Sequence, residues 1–187
     1  ESRRLMPFAA IPLLFATQQF AEGSIWLSST NSIPPGFQQP AVYVFLIFAQ
    51  VIWPAWVPIS IWLIEPRGKR RAILLALAAA GVILTLYNTF CLINYPVWAD
   101  AADRHIVYHR SFPQMGVHIS SIAYILATIF PPLISKINKM FVLGFAILFS
   151  FLITVMMYQE FLISVWFFFA AVISVIVLFL VRTTQEQ

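Results

Sequence analysis

Six apolar runs, each close to the length of a membrane-crossing helix, limit what this chain can fold into more than any other feature. They lie near 5–27, 41–64, 72–95, 117–134, 141–158 and 161–181, with short polar or basic stretches between them. A hydrocarbon layer about 30 Å thick is crossed by about 20 apolar residues in a helix, because lipid offers no partner to a backbone group left open. Only 10% of the residues are charged and 61% are hydrophobic, whereas roughly a quarter are charged in soluble domains, so a water-soluble surface cannot be assembled. The expectation is a single all-α domain over 1–187, an integral membrane helical bundle of about six transmembrane helices whose first partner is the lipid bilayer.

The basic residues set a direction. Arg3 and Arg4, then Arg67, Lys69, Arg70 and Arg71, then Lys136 and Lys139, and finally Arg182 fall on one face of a six-span chain, nine of the eleven lysines and arginines. Lysine and arginine near span ends are retained in the cytoplasm, so both ends of this fragment are expected there, with 28–40, 96–116 and the turn at Gln159 outside. Short clusters between apolar runs are not the basic patch of a nucleic-acid-binding surface, and no nucleic-acid partner is expected. A secretory signal is the rival for the first run. Its two prolines, two glutamines and lack of a small-residue cleavage pattern favour a retained span. Glu1 stands where an initiator methionine would be, so the chain is expected to be part of a longer product. Cys91 lies in an apolar run and reads as a small buried residue.

Polar residues within the runs crowd towards the outer side. Gln18, Gln19 and Glu22 occupy the outer half of the first run, and Asn88 and Asn94 that of the third. His118, Ser120 and Ser121 open the fourth, Thr154, Tyr158 and Gln159 close the fifth, and Ser164 opens the sixth. A carboxylate at Glu22 must be protonated, paired or hydrated, and Gln18 shares its helix face four residues earlier. Two readings stay open: a hydrogen-bonded packing residue, or a ligand, proton or metal site that also draws on Asn88 and Asp100. In the second run, Trp53 and Trp56 flank Pro54 and Pro58, which predicts either a kinked packing helix or a cavity lined by indoles.

Every histidine lies on that same side: His105, His109 and His118. If 103–110 forms a short helix, His105 and His109 project from one face at i and i+4, the spacing that lets two imidazoles reach one divalent metal such as zinc, with His118 as a third nitrogen and Asp100 or Glu22 as an oxygen ligand. The alternative is a solvated interfacial helix with local ion pairs to Asp100, Asp103, Arg104 and Arg110. The glutamate of zinc-protease helices does not follow His105, so that mechanism is not indicated. No nucleophile elbow, phosphate-binding glycine loop or selectivity-filter sequence occurs.

The stretches IPLLFATQQFAEGSIWL (11–27), WPAWVPISIWLIEP (53–66), HIVYH (105–109) and SVWFFFAA (164–171) together resemble an uncharacterised bacterial family of small polytopic membrane proteins without an assigned activity. The resemblance spans most of the chain. It implies a location in the bacterial inner membrane and an extra N-terminal apolar segment opening Met-Cys-Phe-Ser, for seven spans and an outer N-terminus in full length. Seven spans and one histidine pair are also similar to the membrane hydrolases of the alkaline ceramidase and adiponectin receptor type, in which histidines hold zinc. The functional expectations are therefore an outward-facing polar pocket for a metal or small ligand, with hydrolysis of a lipid-like substrate as one use. The alternatives are an accessory subunit docking on other membrane subunits through Trp166, Phe167, Phe168 and Phe169, or a sensor that signals through a separate partner.

Overall fold

A computed structural model describes residues 2–102, 105–157 and 162–185 of the chain. The helices are α1 (Ser2–Ala9), α2 (Ile11–Ser29), α3 (Gln38–Leu46), α4 (Trp53–Ile64), α5 (Lys69–Asn94), α6 (Gln114–Ile134), α7 (Met140–Met157), α8 (Leu162–Phe168) and α9 (Ala170–Gln185). A two-stranded antiparallel hairpin, β1 (Val97–Ala102) and β2 (His105–Arg110), stands between α5 and α6. The all-α bundle is thus observed, and all six apolar runs are built largely of helix. Three segments among the described residues are long and apolar enough to cross a membrane: Pro35–Ile64, Lys69–Asn94 and Met140–Met157. Ile119–Ile134 and Ile173–Thr183 are apolar but shorter.

Polarity is distributed inside out relative to a water-soluble protein. Gln18, Glu22, Ser60, Glu65, Asn88, Thr128, Ser150 and Thr154 are buried, while Phe20, Ile83, Leu86, Ile93, Phe149, Met156 and Val175 are largely exposed. Contiguous exposed apolar faces of this kind are tolerated against lipid and not against water.

Prolines break the first two columns into joints. Pro12 has no N–H to donate and its ring crowds the turn before it, so the first run bends at Ala10 and continues as α2, where a single unbroken helix over 5–27 was expected. In the second column the turn Ile47–Ile52 widens to π-helical bonding ahead of Pro54. Pro54 leaves the Gln50 carbonyl without its helical donor, and Asn88 of α5 supplies one, its Nδ2 lying 2.7 Å from that oxygen. Thr85 Oγ1 likewise donates to the Val51 carbonyl at 2.6 Å. Asn88 therefore supplies a donor to the backbone of its neighbour. Asn88→Leu is expected to lower stability by about 1 kcal/mol, the usual range for a hydrogen bond between membrane helices. Thermal unfolding in detergent would measure it, and an unchanged midpoint would refute that role.

At the same joint α5 packs so closely on α4 that a Cβ at Gly81 would fall on the Pro54 carbonyl oxygen. The opposite end of α4 is tied down by Glu65, which is 1% exposed. Its carboxylate accepts hydrogen bonds from Ser135 Oγ (2.6 Å) and from the Lys136 amide (3.0 and 3.2 Å), clasping α4 to the α6–α7 turn. This is the basic end of the bundle. Arg71 donates to the Glu65 carbonyl at 2.9 Å and lies over Trp62, with 5.0 Å from the guanidinium carbon to the ring centre.

Candidate functional site

At the other end of the bundle the hairpin lies over the helices. The Gln38 and Gln39 amides donate to the Ala99 and Val97 carbonyls at 2.9 and 2.7 Å, which fixes β1 on α3. The register pairs Trp98 with His109, Asp100 with Val107 and Ala102 with His105. Successive side chains of a strand point to opposite faces, so β2 divides into two sets. Ile106, Tyr108 and Arg110 share one face; His105, Val107 and His109 share the other.

This corrects the helix expected over 103–110, of which Asp103 and Arg104 lie outside the described residues. The sequence HIVYHR alternates and includes β-branched and aromatic residues, which suits a strand. At about 3.3 Å per residue, four strand residues hold His105 and His109 about 13 Å apart along the chain, so they do not converge as they would on a helix. His109 stacks on Trp98, with ring centres 4.9 Å apart, and its Nε2 lies 3.1 Å from Asp100 Oδ2. Asp100 is accordingly a close polar partner of His109 on the exposed side of the hairpin. His118 belongs to α6, but its side chain lies outside the described residues, as do Tyr158, Gln159 and Glu160. Among the described residues no group of three histidine, cysteine or acidic side chains is placed to hold a metal ion.

The inward face meets the buried polar residues. Ile106 is fully buried, and the Tyr108 ring stacks on Phe45 of α3 with centres 4.5 Å apart and planes 5° from parallel. Burial first, and then the charge of nearby Glu22, push the Tyr108 phenol above its ordinary value, so it remains a protonated donor. Its hydroxyl is buried with no hydrogen-bond partner among the described residues. Glu22 of α2 accepts from Ser164 Oγ of α8 at 2.6 Å and from Gln19 Nε2 at 3.3 Å. Gln18 accepts from the Trp53 indole N–H at 2.6 Å, and its own Nε2 is also buried without a partner among the described residues. Gln19, Glu22 and Ser164 thus form one hydrogen-bonded polar seam, with Gln18 on the same helix held separately by Trp53.

Beside this seam lies a cavity of about 160 Å³. Gln50, Arg110, Ser120 and Ser121 line it together with Phe151, Ile163, Trp166 and Phe167. Tyr124, Trp166 and Phe167 also wall a smaller apolar cavity of about 40 Å³ that continues towards Phe15, Trp53 and Ile147. Both readings of the second run are therefore realised in part: Trp53 lines a cavity, while Trp56 packs, donating to the Pro7 carbonyl at 2.9 Å.

The resemblance to an uncharacterised family meets its test in the whole-chain comparison, where a family model described as "Family of unknown function (DUF6629)" matches residues 1–187. The chain belongs to the DUF6629 family. No curated protein matches this DUF6629 chain, and no solved structure does. Two residues that line or face its site were not among the expected site residues. Tyr108 and Arg110 fell in the segment expected as a short helix, Arg110 only as a member of local ion pairs, and the signal that finds them is the period-two alternation of β2. Burial lowers the Arg110 guanidinium from its ordinary value, and among the described residues no carboxylate lies within 4 Å of it. Trp166 and Phe167, expected to present a docking face, are 9% and 7% exposed and pack inside the bundle of this DUF6629 member.

Proposed function

We propose that the chain crosses a bacterial inner membrane through its six helical columns, with the basic end in the cytoplasm, and that the cavity under the outer hairpin binds a small amphiphile with an anionic head. The observation that carries this reading is the mixed lining of the 160 Å³ cavity, where Arg110, Gln50 and two serines occur together with Phe151, Trp166 and Phe167. The half-buried Arg110 guanidinium lies over the Phe112 ring, 5.7 Å from its centre, and its planar fork suits a carboxylate or phosphate. The aromatic wall and the adjoining apolar cavity receive a hydrocarbon portion. The seam of Glu22, Ser164 and Gln19 holds α8, which carries Trp166 and Phe167, against α2. Binding is the reading, because His105 and His109 stand about 13 Å apart along β2 and do not gather around one metal as they would on a helix.

Titrating the chain in lipid nanodiscs with a brominated fatty acid would test it, read by quenching of tryptophan fluorescence. Saturable quenching is expected, lost in large part in Trp166→Phe. Arg110→Gln should weaken binding about tenfold, consistent with about 1.5 kcal/mol for a hydrogen bond to a charged group. Quenching that never saturates, or that is equal in wild type and Arg110→Gln, would mean simple partition into lipid and would sink the reading.

A further inference from the structure

The basic end carries a third cavity, of about 280 Å³, far from the hairpin in the fold. Three chain segments wall it: the end of α4, the start of α5 and the turn between α6 and α7. Arg67, Lys69, Arg70 and Lys136 line it, together with Glu65 and Gly68. Four cations around one cavity repel one another, and among the described residues none has a carboxylate within 4 Å. The one acidic residue there does not neutralise them, because the Glu65 carboxylate is buried and turned to Ser135 and the Lys136 amide. One nitrogen of Arg70 reaches the Ile134 carbonyl at 3.2 Å, which holds the guanidinium across the gap between α5 and the α6–α7 turn. Gly68, at φ 151°, adopts a conformation that side chains rarely take, and a Cβ there would meet nothing within 4 Å. The cavity is therefore open on that side.

We propose that this cavity is a binding site for a phosphate-bearing anion, supplied by the headgroup of an anionic phospholipid. Several oxygens on one small anion let arginine and lysine share a single partner. The cavity lies where the apolar segments Pro35–Ile64 and Lys69–Asn94 end and begin, which is headgroup depth for a helix that crosses the bilayer. The site stands apart from the hairpin cavity, and its test does not depend on the amphiphile.

The full chain, purified in mild detergent, would be mixed with phosphatidylglycerol, phosphatidylcholine or inorganic phosphate, and retained adducts counted by native mass spectrometry. The variant Arg67→Gln/Lys69→Gln/Lys136→Gln removes three exposed cations and leaves the Glu65 clasp intact. Arg3→Gln/Arg4→Gln/Arg182→Gln removes the same charge elsewhere. Phosphatidylglycerol is expected to be retained at least tenfold over phosphatidylcholine by wild type and by the control variant, and to fall to the phosphatidylcholine level in the cavity variant. An unchanged unfolding midpoint without lipid would show that the cavity variant is folded. Retention of inorganic phosphate alone, again lost in the cavity variant, keeps the anion site and overturns the lipid as its source. Equal losses in both variants, or no preference over phosphatidylcholine, overturn the proposal.

Discussion

Gly81→Leu is expected to keep α4 and α5 from closing and to lower stability by about 3 kcal/mol or more, the upper range for overpacking a tight contact. Even Gly81→Ala should cost about 1–3 kcal/mol, because its Cβ meets backbone at Pro54 and Ala55, which cannot rotate away as a side chain can. The matched control is Gly23→Ala in α2. A Cβ there meets nothing within 4 Å, so replacing glycine in a helix should be neutral or stabilising by up to about 1 kcal/mol. The single cysteine supplies the readout: Cys91 is fully buried on α5 itself, so a thiol-reactive dye reports when that helix leaves the bundle. Equal unfolding midpoints for Gly81→Ala and Gly23→Ala would show that α5 does not rest on Pro54.

The second large effect is expected at the other end of α4. Glu65→Ala removes a buried carboxylate and leaves Ser135 and the Lys136 amide without their acceptor, at a cost of about 3 kcal/mol for two hydrogen bonds to a charged group. Glu65→Gln keeps the shape but presents an N–H to groups that are themselves donors, so it should recover less than half of the loss. A glutamine variant as stable as wild type, by the same thiol assay, would show that shape and not hydrogen bonding holds the clasp.

The six helical columns were legible because apolar length is a property of the chain itself, independent of what each helix touches. Glu22 and Gln18 were legible for a related reason: a polar side chain inside an apolar run must be accommodated, and here Ser164, Gln19 and Trp53 accommodate it. The partners were not legible, since Ser164 lies 142 residues from Glu22 and nothing local announces the contact. Asn88 carried the same signal as Glu22 but meets a need created by Pro54 on another helix, which only the packed structure shows. His105 and His109 misled because a separation of four is meaningful only on a helix. The alternation of Ile106, Tyr108 and Arg110 was the competing pattern, and the backbone followed it. Glu65, at the end of a run and beside a basic loop, resembled an ordinary boundary charge.

The joints in the helical columns have a mechanical meaning. α5, α6 and α7 run unbroken for 26, 21 and 18 residues, whereas the first column is interrupted at Ala10, the second widens at Ile47–Ile52 and the last is interrupted at Phe169 between α8 and α9. Hydrogen bonds that are missing or borrowed from a neighbour yield more readily than a continuous ladder, so compliance is concentrated at these points. Both hairpin-end cavities draw walls from these jointed columns, Ala49 and Gln50 on the widened turn, Phe15 and Trp53 beyond the bends, Trp166 and Phe167 before the interruption. The bundle is thus a frame of three continuous struts and three jointed ones, and any change in the width of its cavities is expected at the joints, leaving the length of the struts that set its thickness unchanged.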